Sequence, residues 1–179
     1  SQLPTEAPFA IVGESFSGPL AIMAAATRPT NLRGVILSAS FIRSPAWIRL
    51  KGLHRLIVPQ LLIGFPVLAR AKTLLSRYST PEVRELLREA LATVRPEVLA
   101  ERLRSVLQVD VSQQVAECAA PILYLRGEED FVVPHRNAAE ILALAPSMQI
   151  AKIPAPHLVM QTQPALAAAA IAEFLSTVT

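Results

Sequence analysis

The residues with the clearest chemical potential in this chain centre on Ser15, which closes the apolar run Phe9-Ala10-Ile11-Val12 and sits among Gly13, Glu14, Phe16, Ser17 and Gly18. A serine hydroxyl reaches a carbonyl carbon only where the backbone pushes it out of a sheet into the open, and small neighbours make such a turn possible. Gly13 and Ser17 remove bulk where an incoming strand and an outgoing helix nearly touch. A helix starting here adds the positive end of its dipole and unpaired N–H groups beside a developing oxyanion. The Phe16 N–H is the expected donor. Acyl transfer through serine also needs a base to take the hydroxyl proton and an acid to orient that base. The acids in reach of this chemistry are Asp130, Glu128 and Glu129, and the bases are His54, His135 and His157.

The string Gly13-Glu14-Ser15-Phe16-Ser17 resembles the nucleophile elbow G-x-S-x-G of the α/β-hydrolase family, with serine in place of the last glycine and Gly18 directly after it. Leu123-Tyr124-Leu125-Arg126-Gly127-Glu128-Glu129-Asp130, followed by Val132-Val133-Pro134, resembles that family's acid-bearing loop, and Pro156-His157 its histidine loop. The resemblance implies the order Ser, Asp, His, with Ser15 as nucleophile, Asp130 as acid, His157 as base and Phe16 in the oxyanion hole. It implies a serine esterase acting on small acyl esters through an acyl-enzyme, with no cofactor and no metal. It spans the whole chain but covers only the second half of the family's fold, because the elbow arrives at residue 15. The strands that usually precede it, and the loop that supplies a second oxyanion donor, are absent from this sequence. The alternative expectation is therefore a weak or inactive half-hydrolase that acts as an interaction module or needs a complementary chain.

The elements that must position these residues alternate. Strand Phe9–Val12, helix Ser15–Thr27 and strand Gly34–Ala39 form a βαβ unit, with Arg28-Pro29-Thr30-Asn31 as the breaker. Continuous apolar character in the strands implies a parallel sheet covered on both faces. Residues 44–115 change to helices punctuated by proline and are expected to form an inserted helical lid. Its best helix runs from Pro81 to Val94, with Ser79 and Glu82 at capping-box spacing and Val83, Leu86, Leu87, Ala90, Leu91 and Val94 as one stripe. Another starts at Pro96, with Leu99, Leu103, Val106 and Leu107 on one face. Strand Pro121–Leu125, helix Asn137–Ala145, strand Met148–Ile153 and helix Pro164–Ser176 complete the pattern, the last with Leu166, Ala170, Phe174 and Leu175 facing inward. The expected fold is α/β: a parallel sheet of about four strands flanked by helices. The core falls in residues 1–43 and 116–179, split by the lid. Trp47, Leu53, Ile57 and Leu61 offer apolar surface for substrate, or form the core of the lid itself.

Composition excludes several classes. At 179 residues and 52% hydrophobic content with a net charge of +3, the chain has the means to build a core and lacks a disorder signature. Its arginines are scattered singly, without the basic blocks of nucleic-acid binders. The single cysteine, Cys118, cannot form an internal disulfide, so a cytoplasmic location is expected. The three histidines lie far apart and lack metal-ligand spacing. The Leu50–Leu68 region is apolar but broken by Lys51, His54, Arg55, Pro59 and Pro66, so no membrane span is expected there. Strand Phe9–Val12 has a sequence neighbour on one edge only, and an apolar bare edge is a template for pairing. The chain is therefore expected as a homo-oligomer or beside a complementary N-terminal segment.

Overall fold

Four strands, β1 (Phe9–Glu14), β2 (Leu32–Ser38), β3 (Ile122–Gly127) and β4 (Gln149–Ile153), pair in the order β1-β2-β3-β4, every pair parallel. The molecule is a computed structural model that describes residues 3–4, 6–45 and 74–178. Trp47, Leu53, Ile57 and Leu61 lie outside the described residues.

Strand alternation distributes the apolar runs to two cores. On one face Val35 and Leu37 of β2 and Tyr124 of β3 pack with Ile22, Val115 and Ile141. These come from α1 (Ser17–Ala26), α4 (Ser112–Glu117) and α5 (Arg136–Leu144). On the other face Ile36, Leu123, Leu125 and Ile153 pack against Val159 and Phe174 of α6 (Val159–Thr162) and α7 (Pro164–Thr177). Burying each such side chain stabilises the fold by about 1.5–3 kcal/mol, so a polar residue at Ile36, which is fully buried, would break the sheet's seat on α7. The parallel sheet flanked by helices is the architecture that the continuous apolar strands imply.

Between β2 and β3 the chain carries α2 (Pro81–Ala92) and α3 (Pro96–Gln108), each with proline in its first turn. The two ends of the connection meet where Arg43 and Asp110 form an antiparallel bridge and an ion pair of 3.2 Å.

Details depart from the sequence expectations. The cap of α2 is Thr80, whose hydroxyl accepts from the Val83 N–H at 3.3 Å, and not Ser79. Its stripe is half-buried at best, and Leu86 is 63% exposed. In α7, Ala167 and Phe174 point into the core while Leu166 faces out, because the helix is rotated to seat Phe174 on the sheet. Helix α4 runs two residues past 115, where the helical stretch is expected to end. Val115 shows why it forms there: it is buried against the core that α1 also covers.

Candidate active site

Ser15, Asp130 and His157 each lie just past the C-terminal end of a strand, β1, β3 and β4, so a parallel sheet delivers all three to one edge. Ser15 has φ 50°, a left-handed conformation uncommon for a residue with a side chain. Such strain costs on the order of 1–3 kcal/mol and persists only where the surroundings over-determine it.

Three local features hold the turn. Gly13 sits so close to α1 that a Cβ there would lie 2.8 Å from the Cβ of Ala21, from Gly18 Cα and from the Ser17 carbonyl oxygen. Ser17 does more than stay small, since its hydroxyl accepts from the Glu14 N–H and donates to the Glu14 carbonyl. The Ser15 N–H donates to the Ser38 carbonyl at 2.8 Å, tying the turn to the end of β2. Helix α1 then begins with Phe16 as its N-cap and no side-chain capping bond. The first N–H groups of a helix have no acceptor within it; that of Gly18 is taken by the Ser15 carbonyl at 3.1 Å, which leaves the Phe16 N–H as the candidate for an anionic oxygen beside Ser15.

The side chains converge. His157 Nε2 stands 2.9 Å from Ser15 Oγ, and His157 Nδ1 stands 3.0 Å from Asp130 Oδ2. The second carboxylate oxygen, Oδ1, accepts from the N–H groups of Val132 and Val133 at 2.8 and 2.9 Å. Both Asp130 and His157 are buried. Asp130 therefore has its lone pairs committed to main chain on one side and to imidazole on the other, which fixes the ring.

The rival candidates are turned elsewhere. Glu129 bonds with Arg77 and accepts from the Tyr78 hydroxyl at 2.9 Å, which joins the acid loop to the short 3₁₀ turn Ser76–Tyr78. His135 is exposed at the start of α5, Glu128 is exposed, and His54 lies outside the described residues. Among the described residues no group of three or more His, Cys, Asp or Glu could hold a metal ion, and no helix is long and apolar enough to cross a membrane.

Two further features escaped the sequence reading. Glu14 Oε2 accepts from the Gln161 amide at 2.7 Å, linking the residue before Ser15 to the helix that follows His157. A cleft of about 150 Å³ opens beside Phe16, lined by Leu20, Met23, Phe41, Val106 and Val109 among others. The stripe in α3 containing Val106 is legible in the sequence, but its meeting with α1 depends on how the connection between β2 and β3 folds back.

A family model described as serine aminopeptidase, S33, matches residues 1–158. A search of curated protein sequences finds no significant match. Among solved structures, a thermophilic esterase from Thermogutta terrifontis, solved with malate bound, is similar with a TM-score of 0.78 at 25% identity, over 96% of this chain and 65% of that one. A hydrolase from Pseudomonas aeruginosa PA01 has a TM-score of 0.77 at 19% identity over 94% and 64%. An enol-lactonase from Burkholderia xenovorans LB400 has 0.76 at 15% identity over 94% and 66%. The chain thus spans about two thirds of the length of these structures, 64–66%.

Proposed function

The chain belongs to the serine aminopeptidase S33 family of α/β-hydrolases, and on that premise we propose that it is a serine hydrolase cleaving small acyl esters. The observation that carries this reading is the unbroken line of contacts from Asp130 through His157 to Ser15.

In the proposed reaction Ser15 Oγ attacks the ester carbonyl as its proton passes to His157 Nε2, and Asp130 stabilises the imidazolium from the Nδ1 side. The tetrahedral oxygen faces the Phe16 N–H. Collapse breaks the carbon–oxygen bond, and the alkoxide leaves with the proton from Nε2. Water, deprotonated by the same nitrogen, then releases the acid from the acyl-enzyme. The cleft beside Phe16 supports an apolar acyl group of modest size, since a protein cavity of roughly 150 Å³ accommodates a benzene ring. An ester is favoured over a peptide by the likeness to the Thermogutta terrifontis esterase.

The test is labelling by a fluorophosphonate probe together with turnover of p-nitrophenyl esters and aminoacyl p-nitroanilides. Labelling of wild type, none of Ser15→Ala, and turnover of the esters alone are expected. Turnover of the anilides alone would transfer the reading to peptide substrates.

One observation favours a second reading. Val12 is 48% exposed on β1, which is an edge strand of the described sheet. A catalytically weak half-hydrolase that pairs with another chain along that edge would leave both proteins above unlabelled.

A further inference from the structure

Ser40, two residues past the end of β2, is fully buried, and its hydroxyl donates to the Ser15 carbonyl at 2.9 Å. The same carbonyl accepts from the Gly18 N–H at 3.1 Å. The space that Ser40 uses exists because residue 18 is glycine, for a Cβ there would lie 1.7 Å from Ser40 Oγ. Ser40 is itself clamped by one side chain from the neighbouring strand. The Tyr124 hydroxyl accepts from the Ser40 N–H at 3.0 Å and donates to the Ser40 carbonyl at 2.7 Å. Tyr124 is buried in the middle of β3.

The Ser15 carbonyl and the Phe16 N–H belong to one peptide unit. That unit is planar and trans, so its C=O and N–H point in opposite directions. Whatever pins the carbonyl also aims the N–H. We infer that Ser40 is a positioning residue for the hydrolysis: by holding the Ser15 carbonyl it points the Phe16 N–H at the developing oxyanion, and Tyr124 holds Ser40 in register with the sheet. The inference rests on the reading of Ser15 as nucleophile. It gives a physical reason why a residue at φ 50° keeps its orientation when the strand that it leaves has ended.

Neither Ser40 nor Tyr124 touches the reacting atoms in this arrangement, so the role shows in transition-state stabilisation and in the direction of one bond vector. Loss of an entire oxyanion donor costs about 10²–10³-fold in rate, and a misaimed one should cost less, about ten- to hundredfold. Ser40→Ala is expected to lower kcat for a p-nitrophenyl ester and the fluorophosphonate labelling rate by that amount while KM stays within about twofold, because the donor acts in the transition state alone. The direct readout is the residual dipolar coupling of the Phe16 N–H in the unliganded protein, which should change in Ser40→Ala and change less in Tyr124→Phe. Should Ser40→Ala fail to fold, Tyr124→Phe carries the same two measurements. A wild-type labelling rate with an unchanged Phe16 coupling would overturn the inference. An unlabelled wild type whose Phe16 coupling still shifts in Ser40→Ala would overturn the nucleophile reading and leave the orienting role of Ser40 supported.

Discussion

Ser17 Oγ and the main chain of Glu14 exchange two hydrogen bonds, each 2.8 Å long, across the turn that carries Ser15. Where the G-x-S-x-G pattern has glycine, this chain has a hydroxyl that replaces lost flexibility with a lash. Ser17→Gly should therefore lower stability by about 1 kcal/mol, the net worth of such a bond plus the entropy of a new glycine in the first turn. Thermal denaturation reads it. An equal or higher melting temperature would mean that the two bonds contribute nothing beyond those that water would make.

Ser15→Ala and His157→Ala should each abolish ester turnover while the chain stays folded, since each removes a reacting group that belongs to neither hydrophobic cluster, although losing the buried His157 ring should cost some stability. Asp130→Asn should cripple turnover as well, because the amide cannot stabilise imidazolium from a position buried beside His157. His135→Ala serves as the control, being exposed at the start of α5. Retained activity in His157→Ala with loss in His135→Ala would reassign the base.

Alkaline stability follows from Tyr124. Burial pushes its phenol well above the ordinary tyrosine value, an effect that the bond to Ser40 opposes and the nearby Asp130 carboxylate reinforces. The folded chain thus holds this proton more tightly than the unfolded chain, whose phenol titrates at about pH 10. Its contribution to stability is complete below that pH and is lost as pH rises above it. Urea denaturation at increasing pH should show stability falling beyond about pH 10, and Tyr124→Phe should flatten that fall even though it is less stable at neutral pH. Parallel curves for the two proteins would contradict the burial effect.

The edge of β1 should make the chain associate. Val12 on that strand is 48% exposed, and the run Phe9–Val12 carries no charge to discourage pairing. Light scattering after size exclusion should find species heavier than the 19.3 kDa chain, and Val12→Lys should shift them toward that mass. A wild-type monomer at tens of micromolar would refute the proposal.

The local pattern of the sequence determined the strands, their parallel burial on two faces, and the turn at Ser15, because these depend on residues adjacent in the chain: apolar runs such as Val35-Ile36-Leu37, the breaker at Arg28-Pro29, the small residues around the elbow. It also placed Asp130 and His157 at strand ends. Choosing between Asp130 and Glu129 had no local answer; the tertiary structure turned Glu129 toward Arg77 and Tyr78 and left Asp130 facing His157. Ser40 and Tyr124 carry no motif, and they come together only when β2 and β3 pair with Leu37 opposite Tyr124. The same holds for Glu14 and Gln161, 147 residues apart. A hydrogen bond between distant side chains needs two elements at one register and one distance. Spacing along a chain encodes neither, whereas the packed sheet imposes both.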